Sequence, residues 1–270
     1  MAERDYVLGT HDAEVERLGF QHRLWRPRVL DAWRLGGLVE GQTAIDVGAG
    51  PGYASLDLAE LVGPKGRVVA HERSRRFLDA LEARARAREL THVATREVDL
   101  VTDEFGVEAA DFAWCRWVLC FVSDPKRVIG RIGAALKSGG TAVFHEYVDY
   151  RSWRMMPRVP EQERFVEHVI ESWHEEGGDP DVGAALPTLL VDSGFEILST
   201  RLHTDAVAPS DPLWRWPRRY VEVGAERMTE LGHMTKAETE ALIAAFERIE
   251  AEPHARMVLP MVVEVVARRP

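Results

Sequence analysis

The sequence predicts an α/β fold in which a mostly parallel sheet carries helices on both faces. Three observations support this prediction. Of the 270 residues, 46% are apolar and 29% are charged, which is typical of a soluble globular protein with a sizeable core. Short apolar segments alternate with helical patterns along residues 43–147, as they do in βαβ units. A cluster of glycines directly follows the first of these apolar segments.

The first elements lie in residues 1–61. Apolar residues recur at helical spacing from Asp12 to Trp33, and Thr10 or Asp12 is available as an N-cap. We expect Pro27 to break or kink this helix, because proline lacks the amide donor that an inner turn requires. A strand is predicted next at Thr43–Val47, followed by the glycine cluster and then by a helix.

The later part of the chain predicts six more strands and two helical insertions. The strands are Arg67–His71, Val93–Val98, Asp111–Val118, Thr141–Tyr147, Phe195–His203 and Leu259–Ala267. We therefore predict a single domain over residues 1–270, with cap helices in 1–40. The core is expected in 41–147, 188–204 and 259–268, and a helical lid in 148–187 and 205–258.

Charge and cysteine content limit the partners and the compartment. The net charge of -10 should repel polyanions, so nucleic acid is not an expected partner. Cys115 and Cys120 are too few for a disulfide framework and form no CxxC motif. No secretion signal and no apolar run of about 18 residues is visible, which predicts a cytoplasmic protein without membrane spans. No metal-binding pattern appears, and we predict no metal.

The glycine cluster has the spacing of a ligand-binding turn. Gly48, Gly50 and Gly52 form GxGxG, and Tyr53 stands where a dinucleotide-binding GxGxxG motif has its third glycine. Glycine lets the backbone approach a ligand that a Cβ atom would push away. Glu72 lies 20 residues after Gly52, at the end of the second strand, where a carboxylate can accept hydrogen bonds from a ribose.

These segments resemble the class I S-adenosylmethionine-dependent methyltransferases, in particular the branch of the ubiquinone and menaquinone biosynthesis enzymes. Ile45–Gly52 is similar to the family's first motif, and Glu97–Leu100 to the segment that reads the adenine edge. Leu136–Gly140 resembles the family's Leu-Lys-Pro-Gly-Gly turn, with Ser138 in place of the proline. The resemblance implies a Rossmann-like seven-stranded sheet, a methyltransferase activity and S-adenosylmethionine as cofactor.

The resemblance also implies a set of cofactor-binding residues. The glycine loop would lie under the methionine part of the cofactor, and Glu72 would bind the ribose. The N-terminal segment would fold over the cofactor or, alternatively, only pack on the sheet. Arg116 would pair with the cofactor carboxylate or an anionic acceptor, or form a salt bridge within the protein. The full set is Tyr6, Gln21, Asp46, Gly48, Ala49, Gly50, Gly52, Glu72, Arg73, Asp99, Leu100 and Arg116.

Methyl transfer from a sulfonium is an in-line displacement, in which the protein holds donor and nucleophile close together. An acceptor hydroxyl or acidic carbon needs a base. The candidates are Glu146 and His145 at the end of the fifth strand, with His174 and Glu175 on the lid helix; each could instead be an ordinary polar residue. The acceptor pocket is predicted from aromatic residues, namely Trp117, Tyr147, Trp153, Trp173 and Trp214. These rings could also simply fill the core of the insertions.

Three functions are compatible with these observations. The first is methylation of a small hydrophobic or aromatic acceptor, such as a quinone, polyketide or other secondary metabolite, at oxygen, nitrogen or carbon. The second is methylation of tRNA or protein, which the acidic balance disfavours. The third is a cofactor-binding module without catalysis. The net charge favours an uncharged or cationic acceptor, unless Arg116 and the lid residues Arg151, Arg154 and Arg158 form an anion site.

Overall fold

The structure is a computed structural model that describes residues 12–270. Its helices are α1 Asp12–Leu35, α2 Tyr53–Val62, α3 Arg75–Ala87, α4 Pro125–Ala135, α5 Pro160–Glu175, α6 Val182–Asp192, α7 Arg215–Glu230 and α8 Lys236–Glu250. Its strands are β1 Thr43–Val47, β2 Arg67–Glu72, β3 Val93–Glu97, β4 Ala110–Arg116, β5 Leu136–Asp149, β6 Arg154–Met156, β7 Glu196–His203, β8 Ala206–Val207, β9 Arg256–Val258 and β10 Met261–Arg268.

The main sheet confirms the predicted fold class. It has seven strands in the order β3-β2-β1-β4-β5-β10-β7. The first five of these pair in parallel, and β10 runs antiparallel to both of its neighbours. Each of the seven predicted strands is present, although β5 is longer than its predicted range and begins at Leu136.

The strand order creates a crevice between β1 and β4. From β1 the chain first moves through β2 to β3 and then returns to the other side of β1 as β4. Ligands of open α/β sheets bind at such a reversal, outside the carboxyl ends of the strands. In this chain the loop 48–52 follows β1 and Trp117 follows β4, so both lie beside this crevice.

Helix α1 is not broken at Pro27, contrary to the expectation that this residue ends or kinks it. The helix runs for 24 residues with Pro27 inside. Trp25 and Val29 on either side of the proline are fully buried, and burial of two large apolar side chains offsets the single backbone hydrogen bond that proline removes.

The two insertions contain more strand than the sequence predicts. Besides helices α5, α7 and α8, they contribute β6 and β8, which pair with β9 in a separate three-stranded antiparallel sheet. Strands of two or three residues carry too little alternation to be recognised in a sequence. Along the described residues, no helix is both long and apolar enough to cross a membrane.

A row of charged side chains crosses the sheet under α1. Arg116, His145, Glu264 and Arg201 lie opposite one another on β4, β5, β10 and β7. Glu264 is buried and accepts hydrogen bonds from His145 Nε2 at 2.9 Å, His203 Nε2 at 3.0 Å and Arg201 Nε at 2.6 Å. The two histidines and the carboxylate are close enough to ligate a metal ion, but the Arg201 guanidinium already supplies the positive charge.

Candidate functional site

The glycine loop has a conformation that only glycine adopts easily. Gly48, Gly50 and Gly52 have φ angles of 67°, 55° and 81°, in the left-handed region. A Cβ atom on Gly48 would overlap with the side chain of Val118, whereas one on Gly50 would meet no atom within 4 Å. The space over Gly50 is therefore open, as a cradle for a ligand requires.

Glu72 fixes this loop to the end of β2. Its Oε2 accepts a hydrogen bond from Gly50 N at 2.9 Å, and its Oε1 accepts from Arg73 N at 2.9 Å and Ser74 N at 3.0 Å. Burial raises the pKa of this carboxyl, while the three amides favour its ionised form. Two carboxylate oxygens offer about four acceptor positions, so Glu72 retains capacity for a ligand hydroxyl.

Asp46 lies behind the loop rather than on its surface. It is buried, and its Oδ2 accepts a hydrogen bond from Ser55 Oγ at 2.5 Å. Burial raises the pKa of Asp46 to about 6. Ala49 donates its amide to His71 O at 2.9 Å. These contacts hold the loop between β1, β2 and α2, so both residues shape the cradle from beneath.

The segment predicted to read adenine ends in a turn beside β3. Asp99 is exposed, and its Oδ1 accepts from Val101 N at 2.8 Å and Thr102 N at 3.1 Å. Leu100 is partly buried against the core, and the side chain of Arg73 is exposed. One carboxylate oxygen of Asp99 is therefore occupied by hydrogen bonds within its own turn. The amide of Leu100 lies next to it, at the same edge of the sheet.

Arg116 ends β4 and connects the sheet to α1. Its Nη2 lies 3.1 Å from His22 Nδ1, and His22 Nε2 lies 3.1 Å from Asp57 Oδ2. Its guanidinium also lies 5.0 Å from the centre of the Trp117 ring. Burial lowers the pKa of Arg116 to about 10, so it remains a cation at neutral pH. Its Nη1 is buried and has no hydrogen-bond partner.

These residues fit a nucleoside cofactor that ends in a carboxylate. The space over Gly50 is open, the Glu72 carboxylate lies on one side of it, and the unpaired Nη1 of Arg116 lies at the end of the neighbouring strand. A buried guanidinium nitrogen without a partner is costly, and an anionic group would remove that cost. Tyr6, which was expected to contact the same carboxylate, lies outside the described residues.

A cavity lined mainly by aromatic rings opens beside this crevice. It contains about 450 Å³ of empty space, a figure that includes its open mouth. The lining residues are Arg17, Gln21, Trp117, Phe121, Tyr147, Tyr150, Trp153, Trp173, Trp216, Pro217, Tyr220 and Pro260. They come from α1, the ends of β4 and β5, and both insertions.

Three of the lining rings are nearly parallel. The Trp117 ring lies 5.4 Å from that of Tyr147 at an interplanar angle of 13°, and 5.4 Å from that of Trp216 at 20°. Trp173 and Tyr150 close the far side, with their ring centres 5.3 Å apart. The three rings stack on one another, so a planar hydrophobic ligand would pack against their outer faces or edges.

The polar part of the cavity wall comes from α1. Arg17 makes two hydrogen bonds of 2.7 Å to the buried Glu14, and its Nη1 donates to Gln21 Oε1 at 3.1 Å. Trp216 Nε1 donates to the same oxygen at 2.9 Å. Gln21 was predicted to contact the cofactor; here it ties α1 to the α7 side of the aromatic cavity.

The two residues predicted as bases do not line the cavity. His145 is buried in the row on the sheet, and burial lowers its pKa to about 4. Glu146 is also fully buried, and its Oε1 accepts hydrogen bonds from Val118 N and Leu119 N, both at 2.9 Å. His174 and Glu175 are exposed on α5. None of these four groups is among the residues that line the cavity.

Four of the five predicted acceptor-pocket residues line the cavity, and one does not. Trp117, Tyr147, Trp153 and Trp173 do so. Trp214 is buried elsewhere, and its Nε1 donates to Glu250 Oε1 at 2.8 Å. It packs within the insertion because its indole points toward α8 while that of Trp216 points toward α1.

The predicted arginine patch on the lid does not reach the cavity either. Arg151, Arg154 and Arg158 are exposed, and two of them pair with acidic residues of α5, Arg151 with Glu167 and Arg158 with Glu163. The positively charged residue on the cavity wall is Arg17 instead.

Tyr220 also lines the cavity, but the sequence did not predict it as a pocket residue. Its position four residues after Trp216, which places both on one face of a helix, is a signal that could have found it.

Comparison with known proteins agrees with this geometry. Residues 45–144 match the family described as "Methyltransferase domain". Over 158 residues, 58% of this chain and 44% of the relative, the sequence is 29% identical to an uncharacterized 37.1 kDa protein in a transposon of Streptomyces fradiae. It is 28% identical to a demethylmenaquinone methyltransferase of Halalkalibacterium halodurans over 141 residues, covering 52% of this chain and 56% of the relative.

The fold is shared with solved structures of low sequence identity. A crystal structure described as the [4+2]-cyclase SpnF superposes with a TM-score of 0.55 and 22% identity, covering 90% of this chain and 81% of that one. The chain spans about half the length of the curated relatives it matches. Residues 45–144 thus carry a methyltransferase domain, and the glycine loop, the strand order and the curated relatives agree with a domain of the class I S-adenosylmethionine-dependent type.

Proposed function

We propose that the protein transfers a methyl group from S-adenosylmethionine to a small, flat, hydrophobic or aromatic organic acceptor that enters the aromatic cavity. The observation that carries the proposal is the shared turn after β4. Trp117 forms part of the cavity wall, and the next residue, Val118, lies against Gly48 of the glycine loop. A cofactor on the loop and an acceptor in the cavity would therefore be neighbours across this turn.

In this proposal each cofactor group has a partner in the chain. Gly48, Gly50 and Gly52 lie under the methionine part, and Asp46 and Ala49 support them. Glu72 and Arg73 lie beside the ribose, and Asp99 and Leu100 beside the adenine. Arg116 neutralises the methionine carboxylate, because its Nη1 is buried and unpaired. Gln21 stays near this end of the cofactor through its contacts with Arg17 and Trp216.

When bound, the sulfonium cofactor supplies an activated methyl group. The protein's part is to hold the acceptor in line with that group and to exclude water. Among residues 12–270, the titratable groups on the cavity wall are Arg17 and three tyrosines. Burial raises the pKa of Tyr150 and Tyr220, so they remain protonated. The acceptor atom therefore carries a free lone pair or loses its proton to water.

The aromatic wall favours a small molecule over a macromolecule. Its rings come from the ends of β4 and β5 and from both insertions, which form a lid over the core strands in the predicted arrangement of one domain. An enclosure of rings suits a small apolar molecule, and the net charge of -10 opposes RNA binding.

The proposal is tested by incubating the purified chain with radiolabelled S-adenosylmethionine and fractionated small-molecule extracts, followed by mass measurement of any labelled product. We expect label in a compound of low molecular mass that gains 14 Da, the mass of a CH₂ unit. Parallel reactions with tRNA and with denatured protein serve as controls. Label that appears only in those two reactions would contradict a small acceptor.

A second candidate is a protein that binds S-adenosylmethionine without transferring its methyl group. The absence of a carboxylate or imidazole from the cavity wall, among the described residues, favours it, and a structure of the same fold is described as a cyclase. Tight binding of S-adenosylmethionine without labelled product from any extract would support this candidate over methyl transfer.

A further inference from the structure

The turn after β4 holds a bulky residue in an unusual backbone conformation. Trp117 has a φ of 51°, in the left-handed region that large side chains rarely adopt. A residue in this state persists only where its surroundings hold it there, and such residues cluster at functional sites. Trp117 lies on the wall of the aromatic cavity, so the contacts that hold it bear on the shape of that cavity.

One carboxylate holds this turn. Glu146 Oε1 accepts hydrogen bonds from Val118 N and Leu119 N, both at 2.9 Å, and Trp117 N donates to His145 O at 2.8 Å. Val118 has right-handed helical angles, with φ -118° and ψ -45°. A left-handed residue followed by a right-handed one points consecutive amides to the same side and forms a nest for an anion. The buried Glu146 carboxyl group occupies this nest, and burial raises its pKa to about 7.

The turn connects the two halves of the proposed site. With Trp117 held in this conformation, its ring packs against those of Tyr147 and Trp216, with its centre 5.4 Å from each. The Val118 side chain lies so close to Gly48 that a Cβ there would overlap with it. Release of the two amides would free the ring from its stack and the valine from the glycine loop.

We propose that Glu146 is a positioning residue, whose carboxylate binds the 118–119 amides and thereby holds the Trp117 ring in the wall of the acceptor cavity. It acts on acceptor binding through Trp117, and it does not remove a proton from the acceptor. The proposal rests on the proposed function for the identity of the cavity's ligand. The link between Glu146 and the Trp117 ring is independent of that function and is tested separately.

The first test measures the environment of Trp117 without any ligand. The full chain is labelled with 5-fluorotryptophan, and the ¹⁹F resonances of Trp117 and Trp33 are assigned with Trp117→Phe and Trp33→Phe. Trp33 packs against Trp114 and serves as the internal reference. We expect Glu146→Gln, which removes the charge, and Glu146→Asp, which shortens the side chain, to shift or broaden the Trp117 resonance but not that of Trp33. Glu247→Gln, on the exposed face of α8, is the matched control.

The second test measures urea unfolding and applies even if a Glu146 variant folds poorly. Glycine adopts the left-handed conformation unaided, so Glu146→Gln should lower the urea midpoint less in a Trp117→Gly background than in the wild type. A double variant that folds where the single variant does not would also support the link. Additive losses, or an unchanged Trp117 resonance in both Glu146 variants, would overturn it.

The third test separates positioning from proton removal once an acceptor is identified. A positioning role predicts that Glu146→Gln raises KM for the acceptor about tenfold or more, leaves kcat within about threefold and keeps the shape of the pH–rate profile. Loss of a catalytic base would instead lower kcat about 100-fold or more and remove the limb of the profile that reports that base. The second result would contradict the proposal even if methyl transfer itself is confirmed.

Discussion

The open space over Gly50 makes a sharp prediction about cofactor binding. Gly50 and Gly139 both have positive φ angles, 55° and 79°, and a Cβ atom at either would meet no atom within 4 Å. Alanine at each position should therefore cost the same backbone strain, about 1–2 kcal/mol for a left-handed residue. Only the alanine at position 50 would place its methyl group where the cofactor is proposed to lie.

The assay compares the two variants directly. Calorimetric titration with S-adenosylhomocysteine should show at least a tenfold weaker affinity for Gly50→Ala, about 1.4 kcal/mol, and wild-type affinity for Gly139→Ala. Urea unfolding should show equal losses of stability in the two variants. Equal affinities would refute the placement of the cofactor over Gly50, and a much larger stability loss at position 50 would refute the claim that the space over it is open.

Three further predictions concern the cation, the buried histidine and the cavity wall. Arg116→Gln should weaken S-adenosylhomocysteine binding about tenfold or more, because the positive charge and the unpaired Nη1 proposed to bind the ligand carboxylate are lost. The exposed Arg151→Gln should leave binding unchanged. Because burial lowers the pKa of His145 from 6.5 to about 4, the unfolded chain binds this proton first. Between pH 6.5 and 4 the wild type should therefore lose up to about 3 kcal/mol of unfolding free energy relative to His145→Gln. Burial raises the pKa values of Glu146 and Asp46, which act with the opposite sign, but both proteins share that effect. Trp216→Ala should raise KM for the acceptor, whereas Trp214→Phe should lower only stability, by about 1–3 kcal/mol. Unchanged binding in Arg116→Gln, the same pH profile of stability in the wild type and His145→Gln, or equal KM values would contradict the three predictions in turn.

The core strands and the glycine loop could be predicted because their signals are local. Thr43–Val47 is an apolar run followed at once by alternating glycines, and most of the later core strands are likewise short apolar runs bounded by turns or helical patterns. The periodicity of α1 likewise predicts a helix. Its continuation through Pro27 depends on the burial of Trp25 and Val29 against other elements, which the sequence of α1 alone does not reveal.

The acceptor cavity could be predicted only in part, because it depends on which way rings in the insertions point. The sequence does not show which of Trp214 and Trp216 lines the cavity. In the structure the Trp214 indole donates to Glu250, and the Trp216 indole donates to Gln21 on the cavity wall. The nest that binds Glu146 depends on the backbone angles of Trp117 and Val118, which follow the preceding strand. A glutamate near the carboxyl end of a parallel strand is expected to face a ligand; Glu146 instead faces the amides of the neighbouring turn.

The most direct test of the central claim is a crystal structure of the chain with S-adenosylhomocysteine. We predict the ligand across the carboxyl ends of β1 and β2, with its ribose hydroxyls within hydrogen-bond distance of Glu72. Its carboxylate is expected at Arg116 Nη1, and its sulfur should face the aromatic cavity past Trp117. A ligand bound elsewhere, or with its sulfur turned away from the cavity, would contradict the account.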